Sequence, residues 1–125
     1  MMDVKSLEEL PKTVICDIDG CIFNHMGNLP NMILGEPQLC SNVKEQFDLW
    51  DKKAYKIILL TGRRESMREV TEKQLKSFGL FWDLLVMNAT RGQRILVNDI
   101  KPGVDGNTAV AYNLQRNQGF KDLIV

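Results

Sequence analysis

Short apolar runs alternate along the chain with longer segments in which apolar residues recur at helical spacing. The runs are rich in Val, Ile and Leu, which is typical of strands buried on both faces. The longer segments each begin with a capping residue followed three positions later by Glu, which predicts a helix start. The predicted strands are residues 13–17, 55–60, 84–87 and 94–99, and the predicted helices are residues 42–53 and 66–78. Residues 108–112 fit either a strand or a helix, and we favour a fifth strand because Thr, Val and Tyr favour a pleated surface.

This alternation predicts the fold class. Strands separated by helices favour a parallel sheet with right-handed crossovers, here a Rossmann-like α/β three-layer sandwich with a mainly parallel sheet of about five strands. With 125 residues, 44% of them apolar, the chain has room for one domain, residues 1–125, and none for an inserted cap domain. The capping-box spacing of Ser6 and Glu9 predicts a short accessory helix before the first strand.

The segment between the first strand and the first helix, residues 21–40, is broken by Gly and Pro. It is too broken for a long helix and too long for a tight turn, so we interpret it as a loop or small hairpin, the flap, that faces the substrate. Asn24, His25 and Asn28 are its candidates for contacting a leaving group. A solvent-exposed loop histidine is the simpler interpretation of His25.

Charge and cysteine content narrow the class of protein. Sixteen basic and sixteen acidic residues give a formal net charge of zero, which argues against nucleic acid or an anionic membrane as a partner. The three cysteines form no C-x-x-C pair, and residues 1–10 are charged rather than apolar. These features predict reduced thiols and a cytoplasmic location. No apolar run is long enough to cross a membrane.

Polar residues follow the predicted strands at the ends where a parallel sheet binds ligands. Asp17 and Asp19 end the first run, Thr61 and Gly62 follow the second, and Asp99 ends the fourth. Two carboxylates this close need a cation, and Mg²⁺ commonly takes carboxylates together with phosphate oxygens. An ordinary Asp-Gly turn is the alternative for the first pair. The coincidence at one edge of the sheet favours a phosphate site.

These residue types can transfer a phosphoryl group. Asp17 would attack phosphorus and form an aspartyl-phosphate, and Asp19 would protonate the leaving alkoxide and later deprotonate the hydrolytic water. The Thr61 hydroxyl and the Gly62 backbone N–H would hold phosphoryl oxygens. Mg²⁺ would be bound by Asp17, the backbone carbonyl of Asp19, and Asp99.

The same motifs resemble those of the haloacid dehalogenase-like hydrolase superfamily. Residues 14–20, V-I-C-D-I-D-G, are similar to its first motif, residues 57–63, I-I-L-L-T-G-R, to its second, and residues 95–99, I-L-V-N-D, to the strand of its fourth. The resemblance covers most of the chain. It implies a Mg²⁺-dependent phosphatase in which Asp17 is the nucleophile, Asp19 the acid/base, Thr61 a phosphate ligand and Asp99 a metal ligand.

The chain departs from the superfamily pattern in its cations and second acid. The superfamily's third motif supplies a Lys, and this sequence has no Lys between residues 77 and 100. Arg91 is our first candidate for that cation and Arg94 the second, with a solvated loop arginine as the alternative. Arg63 and Arg64 are candidates for anion binding, and Asp105 for a supporting role at the metal.

Three functions fit this sequence. The first is a capless phosphatase whose substrate is a small phosphate ester, such as a sugar phosphate or related metabolite. It would have no membrane partner. The second is a phosphatase for nucleotides or polynucleotide ends, and the third a low-activity phosphate-binding or phospho-acceptor regulatory domain. Since a capless site lacks a lid, a neighbouring copy in a homo-oligomer or a large substrate would have to cover it.

Overall fold

A computed structural model describes residues 9–103 and 106–125. It contains three strands and three helices, joined by turns and extended segments. The strands are β1 (Thr13–Asp17), β2 (Lys56–Leu60) and β3 (Leu84–Val86). The helices are α1 (Leu29–Leu34), α2 (Val43–Lys52) and α3 (Arg68–Ser77), and a 3₁₀ turn, Glu65–Met67, leads into α3.

The three strands form one parallel sheet in the order β1-β2-β3, as the alternation of strands and helices predicts. The register pairs Asp17 with Leu60, and Leu60 with Val86. These three residues therefore lie abreast at the carboxyl end of the sheet. The loops that follow them leave from one edge, which is where open α/β sheets bind ligands.

The core lies between the sheet and the apolar face of α2. Val43, Phe47 and Trp50 are buried at helical spacing, and they share one cluster with the central strand residues Ile57 and Leu59. Each fully buried large side chain of this kind stabilises the fold by roughly 1.5–3 kcal/mol. The predicted helices 42–53 and 66–78 are confirmed to within two residues of α2 and α3.

The flap is a small hairpin, as one of its two sequence interpretations predicts. Phe23 bridges Leu39 in antiparallel fashion, and the Asn24 N–H donates to the Gln38 carbonyl at 2.9 Å. Helix α1 lies at the tip of this hairpin. Its first turn is capped by Asn28, whose side chain accepts from the Asn31 N–H.

The sheet has three strands in the described residues where the sequence predicts about five. Neither residues 94–99 nor residues 108–112 form a strand. The side chains of the former remain in solvent, with Ile95 80% and Val97 86% exposed. An apolar run becomes a strand only where a neighbouring strand completes its hydrogen bonds, and β1 has β2 as its only strand partner among the described residues.

The predicted helix starts differ in their details. Asn42 precedes α2 in the left-handed region (φ 61°), where its side chain makes no cap hydrogen bond with the described residues. Helix α3 begins at Arg68 because the 3₁₀ turn occupies the position predicted for its cap, Ser66. The proposed helix at residues 6–9 falls largely outside the described residues, and Asp105 lies outside them altogether. No helix in the described ranges has the length and apolar content to span a membrane.

Candidate active site

The carboxyl ends of β2 and β3 are tied together by backbone hydrogen bonds. The Thr61 N–H donates to the Val86 carbonyl at 3.0 Å, and the Ala89 N–H donates back to the Thr61 carbonyl at 2.9 Å. The Asn88 N–H donates to the Arg63 carbonyl at 2.7 Å. These bonds fix the loop after β2 beside the loop after β3. The parallel register of β1 with β2, which pairs Asp17 with Leu60, brings the first two predicted motifs to the same edge of the sheet.

Asp19 and Arg63 form a bidentate ion pair at this edge of the sheet. Arg63 Nε lies 2.8 Å from Asp19 Oδ2, and Arg63 Nη2 lies 2.8 Å from Asp19 Oδ1. The Arg63 side chain is 1% exposed and that of Asp19 is 11% exposed. Paired charges with two parallel hydrogen bonds are stronger and more directional than a single contact. The pair joins the end of β1 to the end of β2.

The remaining donors of Arg63 point into the protein. Its Nη1 donates to Thr71 Oγ1 at 2.9 Å and to Gln74 Oε1 at 2.7 Å, both on α3. Its guanidinium also lies over the Phe23 ring, 5.9 Å from the centroid. Arg63 thus holds Asp19 and α3 in place rather than presenting its charge to a ligand, in contrast to its predicted role in binding substrate.

Asp17 has the environment expected of a nucleophile. It is exposed at the end of β1, and its Oδ1 accepts from the Ile18 N–H at 3.0 Å. Partial loss of solvation raises the pKa of Asp17, and the negative charge of Asp19 adds to this. The Ile18 hydrogen bond and the positive charge of Arg94 oppose the rise in pKa. An accessible carboxylate beside cations can approach a phosphate that would otherwise be repelled.

Thr61 and Gly62 differ in how they face the site. Thr61 is 1% exposed, and its Oγ1 accepts from the Arg63 N–H at 3.1 Å, so the hydroxyl oxygen braces its own loop. Gly62 is exposed, and a Cβ there would meet only Ala89 O, at 3.6 Å. The fold therefore tolerates a side chain at position 62, and the absence of one leaves the backbone open to a ligand.

The cation that acts on Asp17 is Arg94, the second candidate from the sequence, rather than Arg91, the first. Arg94 acts on the charge of Asp17, and its Nη1 is held by the carbonyls of Thr90 and Gly92, each at 2.8 Å. Arg91 is exposed and makes no hydrogen bond or ion pair with the residues that the structure describes. The electrostatic influence on Asp17 therefore favours Arg94 over Arg91 as the cation of the site.

The predicted metal ligands do not come together. No group of three or more His, Cys, Asp or Glu side chains converges within the described ranges. Asp99 lies in the extended segment, where its Oδ1 is 3.3 Å from Lys101 Nζ. Both carboxylate oxygens of Asp19 are bonded to Arg63. In this arrangement the Asp17, Asp19 and Asp99 side chains do not by themselves form the near-octahedral oxygen site that Mg²⁺ requires.

A turn near the end of the chain, residues 116–120, packs against the site and was not predicted. The Asn117 N–H donates to the Gly20 carbonyl at 2.8 Å, and Asn117 Oδ1 accepts from the His25 N–H at 2.7 Å. Asn117 and Gly119 both have positive φ, at 66° and 78°. Asn and Gly two residues apart are a recognisable turn signal, but the sequence does not say where such a turn docks.

All three cysteines lie around this edge of the sheet as free thiols. Cys16 is in β1, Cys21 follows the Asp-Gly turn, and Cys40 ends the flap. Burial raises the pKa of all three thiols, and that of Cys21 rises to about 11 with a contribution from the charge of Asp17. They behave as neutral packing groups, since the thiolate is the reactive form.

Comparisons with known proteins give structural neighbours. No family model and no curated protein matches the chain. A chain in the Pnkp1/Rnl/Hen1 complex is 35% identical, with a TM-score of 0.55, over 69% of this chain and 31% of that chain. A chain in the Pnkp1/Rnl/Hen1 RNA repair complex is 34% identical, with a TM-score of 0.55, over 73% of this chain and 30% of that one.

A further neighbour is more distant. It is provisionally described as the 3-deoxy-D-manno-octulosonate 8-phosphate phosphatase from Vibrio cholerae, and it is 20% identical with a TM-score of 0.45, over 66% of this chain and 43% of that chain. The present chain thus spans less than half the length of each neighbour. At the superfamily level, the similarity to the RNA repair chains supports the resemblance to haloacid dehalogenase-like hydrolases that the motifs indicate.

Proposed function

We propose that this domain hydrolyses phosphomonoesters by the chemistry of haloacid dehalogenase-like phosphatases. The observation that carries the proposal is the exposed Asp17 carboxylate, which ends β1 level with the end of β2 that leads to the open backbone of Gly62, and whose pKa the charge of Arg94 lowers against the raising effect of burial. Motif resemblance and the similarity to RNA repair chains support it independently.

In the proposed reaction, a carboxylate oxygen of Asp17 attacks phosphorus while the bond to the ester oxygen breaks. The leaving alkoxide takes a proton, and water then attacks the aspartyl-phosphate to release phosphate and restore the carboxylate. Asp19 is our candidate for moving these protons. Because both of its oxygens are bonded to Arg63, Asp19 must loosen one of these bonds to do so. Gly62 N–H and Arg94 would stabilise the charge that develops on the phosphoryl oxygens.

Mg²⁺ remains our proposal for the cofactor from the motifs, although no step above depends on it. Turnover of 4-nitrophenyl phosphate should be measured with Mg²⁺, with EDTA, and with EDTA followed by excess Mg²⁺. Loss and recovery of turnover would support the cofactor, and full activity in EDTA would refute it.

Two variants test the site itself. Asp17→Asn should abolish turnover, since the amide cannot act as the nucleophile. Gly62→Ala should leave the melting temperature nearly unchanged, because the added Cβ meets only an ordinary contact, but should raise KM by obstructing the phosphate. Wild-type levels of turnover in Asp17→Asn, with purity established by mass spectrometry, would overturn the proposal.

A polynucleotide-end substrate is the second candidate, and the RNA repair neighbours favour it. The zero net charge favours a small sugar phosphate instead. Comparing kcat/KM for a panel of sugar phosphates, nucleotides and a 3′-phosphorylated oligonucleotide decides between them. For either substrate we propose a cytoplasmic setting, with the substrate or a second copy covering the capless site. Absence of turnover across the whole panel, with phosphate bound, would favour a regulatory domain.

A further inference from the structure

We propose that Asn117 is a positioning residue, which locks the flap to the Asp-Gly turn that follows the proposed nucleophile. This inference rests on the proposed function for its kinetic part and on the backbone and side-chain hydrogen bonds of one residue for its structural part. No motif quoted above includes Asn117, which lies about a hundred residues beyond Asp17.

Asn117 joins two segments that must be fixed relative to each other. Its backbone N–H donates to the Gly20 carbonyl at 2.8 Å, within the turn that follows Asp17 and Asp19. Its side-chain Oδ1 accepts from the His25 N–H at 2.7 Å, where the flap leaves that turn. One residue thus bonds to both ends of the six-residue stretch 20–25. An exposed hydrogen bond contributes little to the position of the flap unless its acceptor is fixed. The His25 bond can therefore hold the flap only if Asn117 itself is held rigidly.

The turn around Asn117 is held rigidly by its other contacts. The Phe120 N–H donates to the Ser41 carbonyl at 2.8 Å, and the buried Phe120 ring packs 5.8 Å from the Trp50 ring, centroid to centroid. At Gly119, a Cβ would come within 3.0 Å of Ser41 backbone atoms, so only glycine fits there. The turn is therefore anchored to the start of α2 and to the core, and it presents Asn117 from a fixed platform.

The contact between Arg116 and the Asp-Gly turn reinforces this arrangement. The Arg116 side chain lies across Gly20, with its Cγ 3.3 Å from the position that a Cβ would occupy there. Gly20 has φ of 91°, a conformation that disfavours other residues. The turn beside the nucleophile is thus covered by residues 116 and 117. Fixing this turn fixes the direction in which Asp17 and Asp19 leave the sheet, and misplacement of reacting groups by about 1 Å can cost on the order of 100-fold in rate.

The decisive variant is Asn117→Gly. Glycine accepts the positive φ and keeps the N–H bond to Gly20, so it removes only the acceptor for His25. Asn117→Asp restores an acceptor of the same reach. Asn42→Gly is the matched control, because Asn42 also has positive φ (61°) and its side chain makes no cap hydrogen bond within the described part of the chain.

The readouts are amide hydrogen exchange at His25, followed by NMR, and kcat/KM with 4-nitrophenyl phosphate. In Asn117→Gly, exchange at His25 should accelerate at least about tenfold, and kcat/KM should fall about tenfold. Asn117→Asp and Asn42→Gly should remain within about threefold of the wild type in both measurements.

Each result decides the inference. Unchanged exchange at His25 in Asn117→Gly, or equal damage in Asn117→Asp, would overturn the structural part. If exchange responds as expected while kcat/KM does not, the positioning role is refuted although the contact is real. If the wild type itself hydrolyses no phosphate ester, the proposed function fails, and the exchange measurement alone decides whether Asn117 locks the flap.

Discussion

Two apolar runs of nearly the same composition have opposite environments. In β2, Ile57 and Leu59 are fully buried, whereas Ile95 and Val97 in the extended segment of residues 94–99 are 80% and 86% exposed. The difference lies in their neighbours, because β2 has a parallel strand on each side and residues 94–99 have none. An apolar composition makes a strand possible. The strand forms where a neighbouring strand completes its backbone hydrogen bonds and other elements cover its apolar face.

The candidate site residues differ in the same way, according to whether their apolar run pairs with a neighbouring strand. Asp17, Asp19 and Thr61 follow strands with partners, and they are brought together at one edge. Asp99 follows a run without a partner, and it joins no cluster of ligands in the described ranges. Placement of a candidate catalytic side chain therefore depends on whether its strand pairs with a neighbouring strand.

The largest difference in the free energy of unfolding should come from breaking one ion pair in each of the two regions. Arg63→Ala removes the partner of a mostly buried Asp19, so we expect a loss of about 3–5 kcal/mol in the free energy of unfolding. Lys101→Ala breaks the exposed pair with Asp99 and should cost less than about 0.5 kcal/mol. Urea denaturation measures both. Equal effects would mean that the two pairs are equally buried, contrary to this structure.

A second pair of variants addresses the apolar runs directly. Ile57→Ala leaves a cavity in the core and should destabilise the protein by about 2–4 kcal/mol. Ile95→Ala should change the free energy of unfolding by less than about 0.5 kcal/mol, since its side chain is already in water. Thermal or urea unfolding provides the measurement. A cost above about 2 kcal/mol at position 95 would show that residues 94–99 are packed in solution.

The arginines of the loop after β3 give a kinetic comparison. Arg94→Gln should lower kcat/KM about tenfold, because it removes the positive charge that acts on Asp17. Arg91→Gln should stay within about twofold of the wild type. Steady-state kinetics with 4-nitrophenyl phosphate tests both. The reverse result would restore Arg91 as the cation of the site.

The smallest expected effect is a pH dependence of stability at Asp17. Its pKa is raised above the ordinary 3.8, so the folded protein binds the proton more tightly, and the ionised carboxylate opposes folding once the pH exceeds that value. Asp17→Asn should therefore raise Tm at pH 7 by roughly 1–3 °C and leave it unchanged near pH 3.

The control for this experiment is Asp122→Asn, at an exposed position in the C-terminal turn. It removes a negative charge without touching the site, and it should not reproduce a gain confined to neutral pH. A stabilisation by Asp17→Asn that is equal at both pH values would contradict the raised pKa.

Much of this architecture was predictable because it depends on local patterns. β1, β2, β3, α2 and α3 were found from apolar runs and helical spacing. The positions of Asp17 and Thr61 at one edge followed from the geometry of parallel strands. The flap was recognised by its Gly and Pro residues, which exclude a long helix, although they left the short helix α1 unpredicted.

The remainder depends on contacts between distant residues. The partner of Arg63 is Asp19, 44 positions away, and no local pattern identifies it. The turn at residues 116–120 docks on Gly20 and His25 for the same reason. Residues 94–99 were predicted wrongly as a strand, because their side chains give strand propensity without reporting whether an edge is available.

The raised pKa values of the three thiols lower the reactivity of these cysteines toward oxidants. Burial raises the pKa of Cys21 to about 11, so at neutral pH this thiol is almost entirely protonated. Peroxide and iodoacetamide attack the thiolate, so neither should inactivate the protein quickly. In the proposed mechanism the nucleophile is the Asp17 carboxylate, so cysteines beside the candidate site would not make the protein a redox sensor.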